Sequence, residues 1–150
     1  MFGCISKKNI AMENIKILLV DDRIENLITL EHILDNSKRE FIKASSGAEA
    51  LMITECETID LILLDYQLDD MTGIEVANQL RSKPATQNIP IIFVTALSKN
   101  ERKKLSLYEE GTVDFIFKPI DIEDTNTKVA IFERIVKLQH QLGDREKIIS

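Results

Sequence analysis

At 150 residues and 44% hydrophobic content, the chain is long enough for one domain with its own core. A net charge of −6 argues against unspecific binding to nucleic acid or anionic lipid, because both require a basic surface. Two cysteines, Cys4 and Cys56, are too few and too unpatterned for a disulfide framework or a zinc site, and no apolar run has the length of a signal-peptide core or a membrane span. The reading is a cytoplasmic, soluble protein.

Residues 1–13 show no sustained period and read as a flexible leader. Strand-like and helix-like patterns then alternate. The run 15–20 (Ile-Lys-Ile-Leu-Leu-Val) is a first strand, followed by a helix with Leu27, Leu30, Ile33 and Leu34 on one face, ending near Asn36-Ser37. A shorter run, 41–44, suits an edge strand. Ser45-Ser46 then offer caps for a second helix with Ala48, Leu51 and Met52 inward. The run 61–64 is a central strand, and a third helix extends from about Thr72 to Arg81 with Ile74, Ala77 and Leu80 inward, stopped by Pro84. After the strand 91–94 comes a charged amphipathic segment, Lys99 to Glu109, with Gly111 as its stop. A last short strand, 115–117, leads into a helix from about Asp121 with no terminator before Gly143. Five such units predict an α/β doubly wound parallel sheet with helices on both faces.

Asp21 and Asp22 end the first run, Asp65 the third, and Lys118-Pro119 follow the last. Parallel strands put these ends on one edge, where open α/β sheets bind ligands. Carboxylates about 5 Å apart repel by roughly 3 kcal/mol per pair at an effective dielectric of about 20, so the cluster needs a proton or a cation. Mg²⁺ is the simplest answer. Helix capping through the macrodipole is the plainer account of Asp21 and Asp22, but it explains only one of them.

Asp21-Asp22, Asp65 ahead of Met71-Thr72-Gly73-Ile74-Glu75, Val94-Thr95-Ala96 and Phe115-Ile116-Phe117-Lys118-Pro119 occur in that order at strand ends. The series resembles the receiver domain of bacterial two-component response regulators, from about Ile15 to about Leu138. The resemblance implies a flavodoxin-like five-stranded sheet of order 2-1-3-4-5. In two places the chain departs from the family pattern: Asp69 stands where the family usually has proline, and Thr72 where it usually has aspartate. Both lie in the loop after Asp65 and bear on that loop's rigidity.

By this resemblance Asp65 would accept a phosphoryl group from a kinase histidine. Asp21 and Asp22 would hold Mg²⁺ together with Asp65 and the backbone carbonyl of Gln67. Lys118 would pair with Asp65 and then with a phosphoryl oxygen, its bond to Pro119 being cis. Thr95 would donate its hydroxyl to the phosphoryl group while Phe115 fills the space that Thr95 vacates, a charge event biasing a packing event. Gln67 and Leu97 would flank the route of water and set the phosphoryl lifetime. His32 and His140 fall in no ligand pattern and read as surface residues.

Ile131, Ile135, Leu138, Leu142 and Ile149 follow a heptad-like spacing, which suggests a coiled coil with a break at Gly143. The expected organisation is a leader over 1–13, a receiver over 14–138 and a helical extension over 139–150, a possible homodimer seam. The expected function is a phosphorylation switch rather than an enzyme, with a sensor histidine kinase or phosphotransfer protein upstream and an output domain or protein downstream. No direct nucleic acid or membrane partner is expected. Two rivals remain: a receiver-like interaction module that is never phosphorylated, and a Mg²⁺-dependent phosphatase or phosphotransferase. The latter typically places a second acid two residues after its nucleophile, where this chain has Gln67.

Overall fold

The alternation of short apolar runs with helical periods closes into a single sheet in the computed structural model, which describes residues 14–96 and 113–149. The strands are β1 (Ile15–Val20), β2 (Arg39–Ala44), β3 (Leu61–Asp65), β4 (Ile91–Thr95) and β5 (Val113–Phe117). The helices are α1 (Ile24–Leu34), α2 (Gly47–Cys56), α3 (Gly73–Arg81) and α4 (Ile122–Ile149). All strand pairs are parallel, in the order β2-β1-β3-β4-β5. This is the doubly wound order expected above.

Period-2 alternation along each strand sends neighbouring side chains to opposite faces. Ile17, Leu19, Leu61, Leu63, Ile92 and Val94 pack under α1 and α4 through Leu27, Leu30, Leu34, Val129, Phe132 and Val136. Leu18, Val20, Ile62, Leu64, Ile91 and Phe93 pack under α2 and α3 through Ala50, Val76 and Leu80. Each fully buried Leu or Ile contributes roughly 2 kcal/mol, which is why the central strands β3 and β4 carry no polar residue before their last position.

Helix starts are fixed locally. Ser46 Oγ accepts from the Glu49 amide at 3.0 Å while the Glu49 carboxylate accepts from the Ser45 amide at 2.6 Å, and Thr72 Oγ1 accepts from the Glu75 amide at 3.1 Å. Asp121 does the same for α4, accepting from the Asp124 amide at 3.0 Å.

Several expectations are corrected. Strand β2 starts at Arg39 rather than 41, because Ile15 and Lys16 of β1 supply ladder partners to Arg39 and Glu40. Strand β5 likewise starts at Val113, opposite Ile91. Helix α1 stops at Leu34, its last buried residue. In α2 the inward residues are Gly47, Ala50 and Thr54, whereas Met52 is exposed. Leu51 packs half-buried against the same core as expected, but Ala48, like Met52, is exposed, so small residues rather than the most hydrophobic ones fill most of the inward face. Helix α4 continues through Gly143 to Ile149. One interior glycine costs about 1 kcal/mol, too little to end a helix of this length. The segment 99–109 and the leader lie outside the described residues. Among the described residues no helix is long and apolar enough to cross a membrane.

Candidate functional site

The sheet register decides which residues meet. Val20 is opposite both Ala44 and Leu64, Asp65 is opposite Val94, and Thr95 is opposite Phe117. The residues that follow these positions therefore emerge at one edge. There they line an open cleft of about 640 Å³ whose walls include Asp22, Asp65, Gln67, Thr95 and Lys118.

Carboxylate oxygens of Asp21, Asp22 and Asp65 lie within 4.8 Å of one another. Asp21 is 1% exposed and Asp65 9%. Lys118 Nζ is 4.0 Å from Asp21 Oδ2 and 3.9 Å from Asp65 Oδ2. At an effective dielectric of about 20, each pair of carboxylates repels by roughly 3 kcal/mol and each lysine contact returns roughly 4 kcal/mol before solvent screening. One ammonium against three carboxylates leaves two negative charges uncompensated. Burial pushes the Asp65 carboxyl above the ordinary aspartate value, Lys118 and the Gln67 amide pull it down, and Asp21 and Asp22 push it up.

The donor set fits a small hard divalent cation: carboxylates on one side and an open cleft for water on the other. Among the described residues no hydrogen bond ends on the Gln67 carbonyl oxygen, while the Gln67 amide donates to Asp65 Oδ1 at 3.4 Å. Asp21 is held from two further directions, by the Arg23 amide at 2.9 Å and by Asn26 Nδ2 at 3.1 Å. The residue that precedes α1, Arg23, makes no side-chain cap hydrogen bond.

Thr95 is buried at the end of β4, and its carbonyl accepts from the Lys118 amide at 2.8 Å, joining the ends of β4 and β5. The Lys118–Pro119 peptide is cis. Phe115 is half-buried and lies between two rings, 5.7 Å from Phe93 and 5.9 Å from Phe117 between centroids, in stacked geometry. Tyr66 meets Phe93 edge-on at 6.3 Å. The switch candidate is thus one member of an aromatic row. Leu97 lies outside the described residues.

Two residues of the site escaped the sequence reading. Asn26, which orients Asp21, has only its position four residues after Asp22 as a signal. Asp69 was noted as a departure in the loop, yet its carboxyl is pushed above the ordinary value, first by a hydrogen bond with the Asp22 side chain and then by its charge. It is a fourth acid at the cleft mouth.

A doubly wound sheet with three acids, a threonine and a lysine at the ends of β1, β3, β4 and β5 defines a class of phosphoacceptor switch. The chain belongs to the response regulator receiver domain family, whose model matches residues 17–130. Over 114 residues it is 41% identical to a probable cyclic di-GMP phosphodiesterase of Vibrio cholerae, covering 75% of this chain and 25% of that protein. Over 122 residues it is 40% identical to the alkaline phosphatase synthesis transcriptional regulatory protein PhoP of Bacillus subtilis, covering 81% and 50%. Among solved structures, a CheY-like response regulator receiver domain protein from Methanospirillum hungatei superposes with a TM-score of 0.73 at 26% identity, over 84% of this chain and 98% of that one. The chain spans between a quarter and a half of the length of these two curated relatives.

Proposed function

We propose that Asp65 is the phosphoacceptor of this receiver and that Asp21, Asp22, Asp65 and the Gln67 carbonyl hold Mg²⁺ beside it. The observation that carries this reading is the meeting of three carboxylates within 4.8 Å with Lys118 Nζ about equidistant from two of them. An Asp65 carboxylate oxygen attacks the phosphorus of a phosphohistidine; the phosphorus–nitrogen bond breaks and the imidazole leaves with its electron pair. A bound Mg²⁺ supplies positive charge against the phosphoryl oxygens. Lys118 leaves its ion pair with Asp65 for a phosphoryl oxygen, and Thr95 donates its hydroxyl to another. Phe115 then repacks within the row formed with Phe93 and Phe117, altering the β4–β5 face. Gln67 and Leu97 govern the access of water.

The donor of the phosphoryl group is a sensor histidine kinase or a phosphotransfer protein, and an output domain or protein reads the altered face in the cytoplasm. Residues 14–138 form the receiver and 139–150 a helical extension. On α4, Val129, Phe132 and Val136 face the core while Ile131, Leu138 and Leu142 remain exposed, which supports an apolar stripe for a second copy separate from the face that covers the sheet. Intact mass after incubation with a small-molecule phosphodonor tests the chemistry. A single Mg²⁺-dependent phosphoryl adduct is expected on wild type and none on Asp65→Asn. An adduct on that variant overturns the assignment.

A further inference from the structure

The loop after Asp65 carries the Gln67 carbonyl and lacks the proline that would stiffen it. It is nevertheless closed into a small hairpin. Gln67 bridges Thr72, with the Gly73 amide donating to the Tyr66 carbonyl at 2.6 Å and the Leu68 amide to the Met71 carbonyl at 3.2 Å. At the tip, Asp70 reaches across to another element. Its Oδ1 accepts from the Gly47 amide at 3.0 Å and its Oδ2 from the Ala48 amide at 2.9 Å. These are the first two amides of α2, which have no partner within their own helix. With Ser46 serving the Glu49 amide, the first turn of α2 is satisfied only because the loop is docked on it. Met71 seals the same contact: a Cβ at Gly47 would lie 2.5 Å from its Cγ.

We propose that Asp70 is a positioning residue for the metal and phosphoryl site: its carboxylate clamps the 66–73 loop to the N-terminus of α2 and so holds the Gln67 carbonyl in ligating position. The clamp takes over the stiffening that proline at 69 would give. A carboxylate bridging two helix N-terminal amides makes two charge-assisted hydrogen bonds directed along the helix dipole, and fixing one end of a short hairpin restricts the other. The two amides also hold the Asp70 carboxyl below its ordinary value. The proposal rests on the receiver reading for the identity of the metal site, but not for the clamp itself.

The test combines Mg²⁺ titration calorimetry with amide hydrogen exchange on wild type, Asp70→Ala and Asp70→Asn, each first checked for a native circular dichroism spectrum. Loss of a residue that supports metal ligands typically weakens affinity by roughly tenfold or more. Asp70→Ala should therefore raise the Mg²⁺ dissociation constant about tenfold and speed exchange at Gly47, Ala48 and Leu68. Asp70→Asn keeps one acceptor and should fall between the two. Unchanged Mg²⁺ affinity in Asp70→Ala overturns the proposal. So does equal weakening in both variants with exchange at Leu68 unchanged, which would reduce Asp70 to a distant charge. A wild type that does not bind Mg²⁺ would break the receiver reading instead, and exchange at Leu68 would still decide the clamp.

Discussion

Lys118 is the one cation within ion-pair distance of the acids among the described residues, and it divides its charge between Asp21 and Asp65. A bound metal competes with it for the same oxygens. Lys118→Ala is therefore expected to bind Mg²⁺ as tightly as wild type or more tightly, while phosphorylation slows by roughly 100-fold through loss of charge stabilisation; calorimetry together with adduct formation over time checks both, and loss of metal binding would contradict the role. Asp65 is costly to the fold. Its buried carboxyl has a folded pKa raised above the unfolded value of about 3.9, so the folded state holds the proton more tightly. The metal-free protein should lose stability as pH rises from about 4 through that raised value, and saturating Mg²⁺ should remove the loss. Asp65→Asn should accordingly be more stable than wild type by about 1 kcal/mol at neutral pH, raising Tm by about 2–4 °C. A lower Tm would mean that the Lys118 pairing outweighs the repulsion. The acids were legible in the sequence because each follows an apolar run. Asn26 and Asp70 were not, since their partners, Asp21 and the amides of Gly47 and Ala48, are set by tertiary geometry and leave no local pattern.

Two glycines separate rigid from yielding contacts between elements. A Cβ at Gly73 would lie 2.7 Å from the backbone oxygen of Asp65 and 3.0 Å from the Cα of Tyr66, so α3 can begin where it does only without a side chain there. Gly73→Ala should cost roughly 1–3 kcal/mol in urea denaturation and slow phosphorylation, because the backbone that must move carries Asp65, the proposed nucleophile. At Gly47 the obstacle is the Met71 side chain, and alanine improves helix propensity by about 1 kcal/mol, so Gly47→Ala should stay within about 1 kcal/mol of wild type. Equal costs at the two sites would show that the loop is no more yielding than the strand end. For α4, removal of residues 140–150 takes away Leu142 from the exposed stripe, as well as His140, whose Nε2 sits 3.3 Å from Asp60 Oδ1. Light scattering should report a dimer for the full chain and a monomer for the truncated one; an unchanged molar mass would place any interface elsewhere. Among the described residues, helix existence was readable from periodicity. The face of α2 was readable only at Leu51, because the buried Ala50 and Thr54 are small and Met52, the more hydrophobic residue, points to solvent.

Across the whole molecule, one topological fact makes the site. Parallel strands in the order β2-β1-β3-β4-β5 bring Asp21-Asp22, Asp65, Thr95 and Lys118, spread over about a hundred residues, to a single edge. The sheet and its order were legible from five apolar runs and the resemblance they supported, because buried parallel strands leave so little freedom of composition. The fourth acid at the mouth, Asp69, and the phenylalanine row through Phe115 depend on side-chain placement across loops and strands, and a linear reading cannot supply it. The central claim is that the phosphoryl group goes to Asp65 and to no other carboxylate of the cluster. Borohydride reduction of the phosphorylated protein converts an acyl phosphate to homoserine, and peptide mass mapping then locates it. Homoserine at position 65, formed only with Mg²⁺ present, is the predicted result. Homoserine at 21, 22 or 69 would contradict the account.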